Sequence, residues 1–246
     1  MSKNIGAKFM QQTKYEEMKW QTQQDKGLPQ PPLEKPYAPT AKLIELPKPS
    51  NITIPDIGLR KAIEDRKTLR KYSTKSLSLD ELSFLLWMTQ GVKAVTSRPV
   101  TLRTVPSAGA RHAFETYILV NKVNELQPGL YRYIATKHSL LLEKKGITLA
   151  ARLTAACAAQ AQVLNSAVTF FWVAVVERMY WRYDERGFRY LHLDAGHVCQ
   201  NLYLAAEAID SGVCAIAAYN DDQVNKVLGL DGVKEFAIYS ASLGKK

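Results

Sequence analysis

The pattern of apolar and polar positions divides the chain at about residue 52. Residues 1–52 are polar and then proline-rich, as in GLPQPPLEKPYAPT, a composition that suits an extended arm or linker, either free or wrapped on a partner. Residues 53–246 carry the periodicities of a folded domain. IGLRKAIEDRK predicts a short helix. SLDELSFLLWMTQG predicts a longer one: Ser78 and Glu81 have the spacing of a capping box, Leu82, Leu85, Leu86 and Thr89 share one face, and Gly91 closes the end. A strand is expected over 115–121, a hairpin from GLYRYIA and HSLLLEKK, a small-faced helix from ITLAARLTAACAAQAQVLNSA, and a buried strand over 168–176. After the charged aromatic insert YWRYDERGFRY, a second long helix runs from about Leu193 to Ile209. A short strand over 213–217, a helix DDQVNKVLG and a strand over 236–242 follow. Helices and strands mix without a regular βαβ period, so the fold class is α+β.

Composition narrows the function classes. The 246 residues are 46% hydrophobic and 23% charged, enough for one large domain with a full core. A net charge of +10 admits anionic partners, but the basic residues are scattered among acids with no basic block. That favours a local anion site and no nucleic-acid partner. Cys157, Cys199 and Cys214 are widely spaced with no CxxC pair, which indicates neither a disulfide framework nor a zinc site. The longest apolar run, AVTFFWVAVV, is short of a membrane span, and the N-terminus lacks the apolar core of a signal peptide. The expected setting is cytoplasmic, with no membrane partner. His192 and His197 would lie about 140° apart on a helix, so they do not share a metal, and no metal site is expected. Neither GxGxxG, a P-loop nor a GxSxG elbow occurs.

Two stretches carry candidate chemistry. RKTLRK sets Arg66, Lys67, Thr68 and Arg70 together, which is either a cradle of charge-assisted donors for a phosphate or a solvated basic turn. TVPSAGARH places Pro106, Ser107, Ala108 and Gly109 before a strand, more turn formers than a plain connection needs, so the backbone there can be approached closely by a flat or anionic group. The terminal SLGKK adds Lys245 and Lys246 after an apolar strand.

In order along the chain, RKTLR, PSAG before a strand, GLYRY, RGFRYLHLDAGHVCQNLYLAAEA, CAIAAY and SLGK resemble the nitroreductase family of FMN-dependent oxidoreductases over about residues 55–246. The likeness is greatest to the streptolysin-S-type dehydrogenases, which make thiazoles and oxazoles. The resemblance implies a mainly antiparallel sheet flanked by helices, an intertwined homodimer, and FMN at the subunit interface. It assigns Arg66, Lys67, Thr68, Arg70 and Lys245 to the phosphate and ribityl chain, and Pro106, Ser107 and Ala108 to the flavin from the partner subunit. Ala215, Ile216, Ala217 and Ala218 would pass beside the ring, with a backbone N–H of Ala217 or Ala218 toward N5, where many relatives have Pro-Ile-Gly-Gly or an acid. Trp181, Tyr183 and Phe188 would lie over the open face. Arg182 and Tyr183 stand where the azoline dehydrogenases carry Lys-Tyr; arginine keeps its proton, which leaves Tyr183 as the acid/base candidate. Asp194, Gly196, His197 and Asn201 match the family's helix and read as N-cap and packing positions. The implied activity is transfer of electrons from NAD(P)H to a small acceptor such as a nitroaromatic or quinone. Oxidation of a peptide azoline or other metabolite is the alternative, and flavin or nucleic-acid binding without turnover a third.

Overall fold

In the computed structural model, which describes residues 4–18 and 21–246, seven strands form one sheet in which every neighbouring pair is antiparallel. Its spatial order is β1 (Leu43–Glu45), β6 (Ser139–Lys145), β5 (Gly129–Ile134), β4 (Phe114–Val120), β7 (Val168–Val175), β9 (Glu235–Lys245) and β8 (Ser211–Ile216). The period of two along β4 and β7 supplies two cores. Ile118, Val120, Phe170 and Trp172 pack with Leu82, Leu85 and Leu86 of α3 (Leu79–Gln90) and Leu191, Val198 and Leu202 of α7 (Gly187–Ala208). Tyr117, Leu119, Phe171 and Val173 pack on the other side, with Leu149 and Leu153 of α4 (Leu149–Ala156) and Val224 and Val227 of α8 (Asp221–Leu228). Both faces of the sheet are therefore covered by helices, as expected of an α+β chain whose central strands are apolar on both sides.

The capping box of α3 is present: Ser78 Oγ accepts from the Glu81 N–H at 3.1 Å and Glu81 Oε2 from the Ser78 N–H at 2.9 Å. Other expectations need correction. α7 starts at Gly187, six residues before the expected Leu193, because GFRYLH joins the helix and is not part of a loop. The rest of the insert is helical too, as α6 (Val176–Tyr183) followed by a 3-10 turn over Asp184–Arg186. The alanine-rich stretch is two helices, α4 and α5 (Ala161–Asn165), broken where Ala158 and Ala159 take positive φ values of 54° and 57°. β2 (Val92–Val95) and β3 (Thr101–Arg103) form a separate hairpin, and α2 (Leu59–Asp65) leads into the basic segment.

The proline-rich segment lies on its own chain. β1 pairs with β6 at the sheet edge, and α1 (Ile5–Gln12) precedes it. Trp181 Nε1 donates to Leu28 O at 2.9 Å, Arg178 Nε to Pro32 O at 2.8 Å, and Arg132 Nη1 to Lys35 O at 2.7 Å. Buried Glu115 organises this seam, accepting from Arg178 and from the Lys35 N–H at 2.6 Å and forming an ion pair with Arg132 at 3.5 Å. Prolines cannot enter the sheet interior, but their free carbonyls serve as acceptors for these arginines.

Candidate functional site

The expected site residues fall into two groups. The first lies at the outer strand β8. Past α2, Leu69 N–H donates to Val213 O at 2.9 Å, so the basic segment crosses the strand. Gly212 permits this, since a Cβ there would meet Leu69 side-chain carbons at 2.5 Å. Thr68 Oγ1 lies 3.2 Å from the Tyr203 hydroxyl, which also accepts from the Ala215 N–H at 3.0 Å, and the Arg66 guanidinium lies over the Tyr203 ring at 5.4 Å. Tyr203 thus ties Arg66, Thr68 and Ala215 together. Among the described residues, Arg66, Lys67 and Arg70 form no ion pair within 4 Å, although Lys67 and Arg70 are exposed and Arg66 is partly so. A cleft of about 640 Å³ opens beside Arg70, lined also by Lys71, Ser73 and Lys122. Ile216 is buried at the end of β8, while Ala217 and Ala218 lie exposed just beyond it.

The second group gathers near the start of α7. The Ala108 N–H donates to both oxygens of buried Asp194, at 3.2 and 3.3 Å, and Asn201 Nδ2 donates to Met88 O and Thr104 O at 3.0 and 3.4 Å. Burial raises the Asp194 pKa, and hydrogen bonds from Ser107 and Ala108 oppose the rise. Asp194 is therefore not an N-cap; it sits in mid-helix and pins the 106–109 loop. Gly109 has φ 56°, and a Cβ on it would collide with the Tyr183 hydroxyl and the Arg182 side chain. Pro106 is exposed at the loop's outer side and Ser107 Oγ accepts from the His112 N–H at 2.9 Å. Tyr183 is held edge-on by Tyr190, with ring centroids 4.8 Å apart, and the Arg182 guanidinium lies 5.7 Å from the Tyr183 ring centre.

Three expected participants have other duties. Lys245 donates to Glu81 and, at 2.6 Å, to Ile209 O, so its ammonium is committed between the ends of α3 and α7. Trp181 is not an open-face residue: it is buried, bonded to Leu28 O, and covered by Arg111 at 5.1 Å. Phe188 packs partly buried against the main core. Among the described residues, no cluster of three His, Cys, Asp or Glu side chains is arranged to hold a metal ion, and no helix is long and apolar enough to cross a membrane.

Asp194 and Tyr203 are nine residues apart on one helix, so the two groups project from faces about 180° apart and are offset about 13 Å along the axis. One side is a set of cations with no ion pair within 4 Å among the described residues, together with a hydroxyl. The other is a small-residue loop with a phenol and a guanidinium. Residues 63–245 match the sequence profile of the nitroreductase family. The chain belongs to that family. A nitroreductase-like protein of Methanocaldococcus jannaschii, MJ1384, is 32% identical over 206 residues, 82% of this chain and 96% of the relative. The trifolitoxin-processing protein TfxB of Rhizobium leguminosarum bv. trifolii is 29% identical over 174 residues, 66% of this chain and 46% of TfxB. The crystal structure of a nitroreductase-like protein from Anabaena variabilis superposes with a TM-score of 0.69 at 29% identity, covering 84% of this chain and 42% of the other. The nitroreductase fold thus places a basic segment, a strand end and a glycine loop on two sides of its longest helix. Sequence reasoning missed Tyr203 and Arg111. A phenol between Leu202 and Leu204 reads as core, and only the tertiary structure brings its hydroxyl to Thr68 and Ala215.

Proposed function

We propose that this nitroreductase is an FMN-dependent oxidoreductase that works as a homodimer. The observation that carries the reading is the separation of the two residue groups on opposite faces of α7. Supplying each group from a different copy of the chain would let a single flavin touch both. The cations fit the group: among the described residues Arg66, Lys67 and Arg70 form no ion pair within 4 Å, and Thr68 adds a hydroxyl, so a phosphate dianion would supply charge that no direct carboxylate contact provides. The Ala215 N–H is already bound by Tyr203, which leaves the backbone beyond β8, at Ala217 and Ala218, as donors toward the ring. Pro106, Ser107 and Ala108 of the partner copy would line the same cofactor, with Gly109 keeping the loop close to Arg182 and Tyr183. When bound, FMN supplies hydride and single-electron chemistry. The chain's own residues hold it, exclude water and place Tyr183 and Arg182 at the substrate. NAD(P)H is the proposed reductant, and a nitroaromatic, quinone or similar small molecule the acceptor.

A second reading, dehydrogenation of a peptide azoline, is favoured by the likeness to the trifolitoxin-processing protein. Tyr183 would then move the proton, because Arg182 stays charged.

The deciding experiment is the visible spectrum of the purified chain after incubation with FMN and desalting. Flavin bands retained at about one FMN per chain are expected. A colourless protein overturns the cofactor assignment and with it both readings.

A further inference from the structure

Arg111 is a buried charge that the proposed chemistry does not use. Its residue is 4% exposed, its Nε has no hydrogen-bond partner, and Nη1 reaches only the neutral Gln30 Oε1, at 3.4 Å. Arg182 is served in the same way, with Nη1 donating to Gln24 Oε1 at 3.2 Å. Among the described residues neither guanidinium forms an ion pair. The nearby Asp25 carboxylate is engaged by the Thr22 N–H and hydroxyl, at 3.0 and 2.8 Å. Burial, then the charge of Arg182, holds the Arg111 guanidinium below its usual range, and Arg98 and Arg178 add to the repulsion.

Arg111 stacks on the Trp181 ring at 5.1 Å, but two guanidiniums that repel each other, one of them buried, remain costly where no anion joins them. The arm's direct hydrogen bonds to the two guanidiniums come only from amide oxygens, at 3.2 and 3.4 Å, and its Asp25 carboxylate, held by Thr22, acts on Arg182 without pairing with it. A carboxylate makes shorter, charge-assisted and bidentate bonds to a guanidinium, so it outcompetes Gln24 for Arg182. Residues 24 and 30 lie outside the segment that matches the family, 63–245, so this cover belongs to the chain's own N-terminal arm.

We propose that Arg182, backed by Arg111 and covered by Gln24 and Gln30, is a carboxylate-binding subsite beside Tyr183. The molecule that reacts there is then an organic acid. That last step rests on the flavin reading above; the subsite itself rests on the two arginines alone.

The test is isothermal titration of the FMN-incubated full chain with benzoate, benzamide and inorganic phosphate, with bound flavin read by absorbance in the same samples. Benzoate is expected to bind about tenfold or more tightly than benzamide. Arg182→Gln should abolish that preference, Arg182→Lys should keep part of it, and Gln24→Ala should leave it intact or increase it. Equal affinities for benzoate and benzamide, or a preference that survives Arg182→Gln, would overturn the subsite. Phosphate binding more tightly than benzoate would overturn the carboxylate assignment in favour of a phosphoryl group. A colourless protein that still prefers benzoate removes the flavin reading and keeps the subsite. A yellow protein without the preference does the reverse.

Discussion

His112 shows how a single residue reports on the charged surroundings of the loop. It sits at φ 43°, 5% exposed, and burial, followed by the charges of Arg103 and Arg111, pushes its pKa down to about 3. The folded chain therefore refuses a proton that the unfolded chain accepts near the ordinary value of 6.5. Unfolded protein binds more protons between those two values, so stability falls as pH drops through 6.5, by up to about 1.4 kcal/mol per pH unit for this residue, and is unaffected by it above that pH. His112→Gln should flatten the fall measured by denaturant midpoints between about pH 6.5 and 4. Part of the slope will remain, because burial lowers the His138 pKa as well. Parallel curves for the two proteins would show that His112 is not the group held neutral. The basic and small-residue motifs of the proposed site stand out in the sequence because their residue types imply exposed donors and close backbone approach. Arg111, His112 and Tyr203 were not, since what matters at each is the partner it lacks or finds across the fold.

At the scale of elements, local chemistry was most readable where it closes on itself. Ser78 and Glu81 satisfy each other's backbone within one turn, so the start of α3 follows from four residues. Ser78→Ala should cost about 1 kcal/mol, seen as a lower denaturant midpoint at unchanged m-value, while Ser76→Ala, at an exposed neighbour outside the helix, should be neutral. Equal effects of the two would mean the cap contributes nothing. The misread elements are those decided by distant contacts. Alanine favours helix wherever it occurs, so nothing in the sequence marks the break at Ala158 and Ala159. The first turns of α7 are polar and aromatic because Arg186 and Arg189 bond to Thr13, in the N-terminal segment, which an isolated reading of the insert cannot see. The proline-rich arm has no periodicity of its own, and its position comes from Arg132, Arg178 and Trp181 reaching for its carbonyls.

At the scale of the whole molecule, the proposed homodimer needs a surface for a second copy, and exposed apolar side chains offer one. Leu59 and Ile63, 68% and 52% exposed, stand one turn apart on α2, while Met88 on α3 and Leu193 on α7 are 37% and 59% exposed. Ile57, Leu59, Phe84, Met88 and Leu204 line a common groove between these helices. A stable interface needs roughly 1,200 Å² or more, with a well-packed apolar centre. Exposed apolar side chains at this position supply such a centre when two chains meet. In a monomer, Leu59→Glu with Ile63→Glu would exchange exposed leucine and isoleucine for charge at little cost. In the proposed dimer it buries two like-charged carboxylates per chain, so sedimentation should show monomers at concentrations where the unaltered chain is dimeric. The same variant should lose its FMN on desalting even though Arg66, Lys67, Thr68 and Arg70 are untouched, because the loop at Pro106–Gly109 is then supplied by no partner. A monomeric variant that retains one flavin per chain would show instead that each copy holds the cofactor alone, and the division of the site across α7 would need a different explanation.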